Sequence, residues 1–144
     1  MGEQKEITVA IALVFFGDKL LLIRRRHANP IWDKKWEFPG GKVENGEDPM
    51  STARRELMEE TGIEAKGQKF LGVHPHDWEM PDGSTLRIHL HCYQCRTENN
   101  AVSLEEGKAD QYAWADPDAL QGYDLLGAIP EIIQRFVVGV RPRV

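Results

Sequence analysis

The sequence predicts a fold that mixes helix and strand, either α+β or a three-layer α/β/α sandwich. Three observations predict it. Several short apolar or alternating runs read as strands. Two segments, residues 48–61 and 130–138, carry helical periodicity and helix-start signals. Strands and helices follow one another without the regular βαβ repetition of an all-parallel sheet.

Residues 7–15 and 19–24 are apolar runs joined at Gly17-Asp18, which reads as a hairpin. Residues 36–38 form a short strand running into Pro39-Gly40-Gly41, expected to be a turn that lets backbone approach a bound group. The 48–61 helix has Asp48 as N-cap, Pro49 at its first position and Gly62 where a left-handed residue ends a helix. Met50, Ala53, Leu57 and Thr61 form its core stripe. A strand at 69–74 follows, then the turn Pro81-Asp82-Gly83 and a strand at 86–94. Residues 111–114 read as a further strand and 117–121 as a short helical turn. The 130–138 helix buries Ile132, Ile133, Phe136 and Val137, and Arg141-Pro142-Arg143 reads as a loose tail. No internal repeat or low-complexity tract interrupts the chain.

The 144 residues, 41% of them hydrophobic, suit one domain over 1–144 with a sizeable core. A net charge of −5 argues against broad electrostatic binding to duplex nucleic acid, while leaving a charged RNA 5′ end as a partner. No apolar run reaches the roughly 18–20 residues that cross a bilayer, and residues 1–6 lack signal-peptide form, so the expected setting is the cytoplasm without membrane contact. Cys92 and Cys95, with His89 and His91 just before them, invite a zinc reading. Leu86, Ile88, Leu90 and Cys92 alternate with Arg87, His89, His91 and Tyr93, however, which is a strand. Along it the two thiols point to opposite faces and do not chelate one ion.

The richest chemistry lies between Gly41 and Ile63. Glu56, Glu59 and Glu60 stand at i, i+3 and i+4, so a helix puts all three carboxylates on one face. Like charges at this spacing disfavour a bare helix by about 0.2–0.5 kcal/mol per pair. The natural partner for such a cluster is a hard divalent cation such as Mg²⁺. Arg55 stands four residues before Glu59 and can pair with it.

Gly41, Glu47 and the run Arg55-Glu56-Leu57-Met58-Glu59-Glu60-Thr61-Gly62-Ile63 resemble the Nudix box, G-x5-E-x7-R-E-U-x-E-E-x-G-U with U aliphatic, and fill every defined position. The flank Trp36-Glu37-Phe38-Pro39-Gly40-Gly41-Lys42-Val43-Glu44 is similar to the MutT-like branch. The resemblance implies the α/β/α sandwich with a mixed sheet. It also implies a Mg²⁺-dependent hydrolase, with Mn²⁺ able to substitute, that cuts a nucleoside triphosphate to monophosphate and pyrophosphate by water attack at phosphorus. Alternative substrates are an RNA 5′ end, nucleoside diphosphate sugars and dinucleoside polyphosphates. A nucleotide-sensing module is the non-enzyme alternative, and monomer and homodimer both stay open.

By matching positions, Glu56, Glu59 and Glu60 would be metal ligands, joined by the Gly40 carbonyl. Glu56 or Glu59 would assist deprotonation of water, and Glu47 and Arg55 would orient the others. Glu106 or Asp110 would supply a further ligand from a later loop, with a solvated acidic loop as the other reading. Arg26 is the preferred phosphate contact among Arg24, Arg25 and Arg26, and Lys42 adds charge. Phe38 matches a base-pocket position, with core packing as the alternative. MutT-type relatives read the base with an Asn shortly before a proline. Aligning on Pro130 puts Ala128 there, without a hydrogen-bonding group, and Asp124 is the nearby polar substitute.

Overall fold

The computed structural model describes residues 3–137, so the 141–143 tail and the last residue of the 130–138 helix lie outside the described residues. In chain order the elements are β1 (Gln4–Phe16), β2 (Lys19–Arg25), β3 (Trp36–Glu37), β4 (Gly40–Lys42), α1 (Pro49–Thr61), β5 (Lys66–Glu79), β6 (Thr85–Arg96), β7 (Ala109–Ala115) and α2 (Ile129–Phe136). The strands form one sheet of order β3-β2-β1-β6-β5, with β4 beside β1 and β7 beside β2. β1 and β6 run parallel from Gln4↔Thr85 to Phe15↔Arg96, while the other ladders are antiparallel, so the sheet is mixed.

Alternation along β1 builds two cores. Ile11, Leu13 and Phe15 join Leu20, Leu22 and Cys92 under Ile132, Ile133 and Phe136 of α2. Ala12 and Val14 join Leu21, Ile23 and Cys95 under Leu57 of α1. The sheet therefore lies between two helices, and Cys92 and Cys95 fall in opposite cores, as alternation requires. Burial pushes both thiols up to about 12.

The caps of α1 follow its sequence. Asp48 accepts from the Ser51 N–H, and Gly62, at φ 74°, closes the helix by donating to the Met58 carbonyl. Thr52 is buried along with Ala53, Leu57 and Thr61, whereas Met50 is only partly covered.

Three local expectations need correction. Gly40-Gly41 is not a turn: with Lys42 it forms β4, in register Ile11↔Gly40, Ala10↔Gly41 and Val9↔Lys42. A side chain at Gly40 would collide with the Ala10 carbonyl and Ile11, so glycine here serves close strand packing. Residues 117–121 make successive reverse turns, closed by Ala119 N–H to the Asp116 carbonyl and Tyr123 N–H to the Leu120 carbonyl, rather than a helical turn. The strand expected at 69–74 spans Lys66–Glu79, because β6 pairs with it even through Pro75 and its charged neighbours.

β1 is a shared strand. Its end pairs with β2 at Phe15↔Leu20, while its middle pairs with β4. β2 instead takes β7 and β3 as partners over its length. The two branches diverge from β1, and the cleft sits at that divergence.

Candidate active site

One edge of the cleft is built on α1. Arg55 anchors it: its Nε and Nη2 donate to Glu47 Oε2 and Oε1 at 2.7 and 3.1 Å, a bidentate pair reaching back to the loop before the helix. Its Nη1 donates to Glu56 at 3.1 Å and to Glu59 at 3.2 Å. One guanidinium therefore orients three carboxylates. The Arg55 hydrogen bonds hold the Glu47 carboxyl down at about 2.

β4 completes the cradle. A Cβ at Gly41 would lie 2.5 Å from Glu56 Cδ and 2.6 Å from its Oε1, so this position needs glycine to seat the carboxylate. The Gly40 N–H donates to Glu60 Oε2 at 3.1 Å. Burial, reinforced by the nearby Glu37 charge, pushes the Glu60 carboxyl up to about 9. Glu56 is raised as well, chiefly by burial, with Glu59 and Glu105 adding to it against Arg55.

Glu37 belongs to this group, although in the sequence it stands out only as part of the MutT-like flank. It lines the cleft, burial lifts it to about 7, and it pairs with Arg25 at 3.6 Å. Alternation in β3 was the available signal: Trp36 and Phe38 share the α2-side core, so Glu37 must face the glutamates.

The cleft, about 1190 Å³, runs from these acids to an apolar end. Glu56, Glu59 and Glu60 line the first part together with Gly40, Lys42 and the loop Glu105-Glu106-Gly107-Lys108. That loop is fixed along the C-terminal end of α1, where Ser103 N–H donates to the Thr61 carbonyl and Glu105 N–H to the Glu60 carbonyl. Val9, Leu90, Trp32, Trp78 and His76 line the other end.

The remaining predicted residues divide. Arg26 lines the cleft, but its charge is shared with Asp33 at 3.0 Å and Asp110 at 3.3 Å. Asp110 is gripped bidentately by Arg24 at 2.8 and 2.6 Å, which holds it down at about 2. Between the two loop acids, Asp110 is thus committed to arginines, while Glu106 is exposed and makes no hydrogen bond or ion pair among the described residues. Phe38 touches the cleft but is 1% exposed and part of the α2-side core. Ala128 lines the apolar end. Asp124 is not in the cleft wall: its carboxylate pairs with Lys35 at 2.7 Å, and its carbonyl accepts from Trp36 N–H. Glu47 and Arg55 stand behind the wall, where Arg55 bonds to Glu47 and to the cleft carboxylates of Glu56 and Glu59.

No three His, Cys, Asp or Glu side chains among the described residues converge closely enough to hold an ion as placed. The donor set nevertheless fits a hard cation. Every donor is oxygen, and burial is the main cause of the upward shifts of Glu37, Glu56 and Glu60, with neighbouring carboxylates adding to those of Glu56 and Glu60, a cost of holding charge that a divalent ion would relieve.

The acid-faced helix, the glycine strand cradling its carboxylates and the long cleft between diverging sheet branches match a family of hydrolases that act on nucleotides. The chain belongs to the Nudix family, for the NUDIX domain model matches residues 6–136. It is 29% identical over 127 residues, 88% of this chain and 89% of the other, to a CTP pyrophosphohydrolase of Escherichia coli (strain K12). With the 8-oxo-dGTP diphosphatase of the same organism it shares 37% over 78 residues, 54% of this chain and 59% of the relative. The crystal structure of a MutT NUDIX hydrolase from Burkholderia pseudomallei has the same fold, at TM-score 0.76 and 23% identity, covering 91% of this chain and 98% of that one.

Proposed function

We propose that the enzyme hydrolyses nucleoside triphosphates to monophosphate and pyrophosphate, by water attack at phosphorus, with Mg²⁺ or Mn²⁺ as cofactor. The observation that carries this reading is the polarity of the cleft. One end is lined by carboxylates and lysines, the other by aromatic and aliphatic side chains. A polyphosphate chain ending in a planar base has the same two-ended character, and the cleft volume of about 1190 Å³ is somewhat above the about 300–1,000 Å³ usual for small-molecule sites.

Glu56, Glu59 and Glu60 would hold the cation, with the Gly40 carbonyl and Glu106 as further donors. When bound, it supplies phosphate-charge neutralisation and a more acidic water. The chain's own residues do the rest. Arg55 and Glu47 keep Glu56 and Glu59 in position, which limits the reorganisation needed during reaction. Lys42 and Arg26 add positive charge along the phosphate path. Glu56 or Glu59 accepts a proton from the attacking water.

The test is a panel of nucleoside triphosphates, nucleoside diphosphate sugars, dinucleoside polyphosphates and 5′-triphosphorylated RNA with Mg²⁺, reading pyrophosphate against orthophosphate. Pyrophosphate release from free triphosphates is the expected result. Turnover confined to RNA ends or to diphosphate-linked substrates would reassign the substrate, and binding without any turnover would make the chain a nucleotide sensor.

A further inference from the structure

The apolar end of the cleft has a roof. In the sheet order, β1 and β6 separate β2 from β5. β4 takes the edge of β1 at Val9, Ala10 and Ile11, so the outgoing end of β2 is not a neighbour of β1, and β1 and β6 still lie between it and β5. Yet Trp32, in the loop after β2, stacks edge-on against Trp78 of β5 with ring centroids 5.7 Å apart. The loop must arch over the sheet to make that contact, enclosing the aliphatic floor of Val9 and Leu90. Hydrogen bonds within the loop support the arch. Asp33 Oδ1 accepts from His27 N–H at 2.9 Å and Arg26 Nε at 3.0 Å, and Asn29 Oδ1 accepts from Ile31 N–H at 3.1 Å. His27 packs edge-on against Trp32 at 4.9 Å, and His76 against Trp78 at 4.7 Å.

Within this aromatic wall two ring nitrogens, Trp32 Nε1 and His76 Nε2, are buried and have no hydrogen-bond partner among the described residues. Such groups are rare and expensive when left unsatisfied. The two residues expected from the sequence to face the base leave the task open: Ala128 has no polar side-chain group, and Asp124 is engaged by Lys35 outside the cleft.

We infer that Trp32 is a specificity-determining residue, its indole N–H donating to an exocyclic carbonyl oxygen of a nucleobase held under the roof, with His76 as the second polar contact. This inference rests on the nucleotide reading above. An indole nitrogen can only donate, so it selects an acceptor. It is buried, so the roof must open slightly to admit an acceptor, and a carbonyl oxygen projecting from the ring needs less opening than a ring nitrogen does. Cytosine, uracil and guanine present such an oxygen. Adenine presents an amino group in the corresponding place. Burial lowers the proton affinity of His76, leaving a neutral ring that suits an uncharged base.

Calorimetric titration with CMP, GMP, AMP and ribose 5-phosphate tests this without requiring turnover. The wild type should prefer CMP and GMP to AMP. Trp32→Phe, which keeps an aromatic ring, should weaken CMP and GMP by about tenfold, as for one lost hydrogen bond in a closed site, and change AMP and ribose 5-phosphate less than about twofold. Trp32→His, which restores a ring N–H, should recover part of the loss. A uniform change across all four ligands, no change at all, or no nucleotide binding by the wild type would overturn the inference. Should Trp32→Phe fail to fold, the unaltered protein still decides. GMP must bind more tightly than 2-aminopurine riboside monophosphate, which lacks the carbonyl, and equal affinities would refute the assignment. Absence of turnover across the nucleotide panel would sink the functional reading separately.

Discussion

Gly41→Ala should disable the enzyme while leaving it folded. The added Cβ would sit 2.5 Å from Glu56 Cδ, whereas ordinary contact begins at 3.4 Å, so the carboxylate must retreat by about 0.9 Å, the difference of the two. Backbone strain does not enter, because Gly41 is not among the positive-φ glycines. The displacement falls on a side chain already fixed by Arg55 Nη1 at 3.1 Å, so the retreat also disturbs the Arg55 bonds to Glu47 and Glu59. A misplacement near 1 Å in a preorganised site lowers the rate by about 10²-fold. The assay is steady-state pyrophosphate release with saturating Mg²⁺, beside a thermal melt. Gly46→Ala is the control: at φ 78° with nothing within 4 Å, its Cβ meets no neighbour but the backbone is strained. It should lose about 1 kcal/mol of stability with kcat little changed. If Gly41→Ala kept kcat within about threefold of wild type, the argument that β4 seats Glu56 for catalysis would be wrong.

Glu59→Gln should lower kcat by at least about 10²-fold with an unaltered melt, because it removes charge from the acid face without changing shape; near-normal turnover or unfolding would count against its role. Excess chelator should abolish hydrolysis, and Mg²⁺ or Mn²⁺ should restore it; full turnover in chelator would rule out the metal reading. The Glu47 carboxyl, at about 2 when folded against an ordinary 4.5, contributes stability that is present above pH 4.5 and lost as pH falls toward 2. Glu47→Gln should therefore destabilise at pH 7 but much less at pH 3, and equal losses at both would refute the clamp. Preference for 8-oxo-dGTP over dGTP should stay below about a thousandfold in kcat/KM, since neither Ala128 nor Asp124 offers an amide to the base; a larger ratio would show that another group discriminates the oxidised ring.

The acid face, its caps and the branch of strands around it were legible because each depends on local spacing. Asp48, Pro49 and Gly62 punctuate α1, and i, i+3, i+4 geometry fixes where Glu56, Glu59 and Glu60 point. What the sequence concealed depends on partners far along the chain. Gly40 and Gly41 form a strand only because β1 passes beside them, and glycine alone reads as a turn. Asp124 was a plausible base reader until its neighbour Leu125 bridged to Trp36 and Lys35 took the carboxylate. Trp32 and Trp78 carried no local signal at all, since their meeting requires a loop to cross two strands. Glu37 lies between these cases: alternation gives its direction, but only the packed sheet shows how far its carboxylate is covered.

The opposed thiols have a practical consequence. Cys92 sits in the layer beneath α2 and Cys95 in the layer beneath α1, both buried and both held as unreactive thiols at neutral pH. Neither can be alkylated until its own layer opens, so the chain carries two native probes of breathing, one for each side of the sheet. Their relative labelling rates would tell whether α1 or α2 detaches first, a question that a single melting temperature averages away.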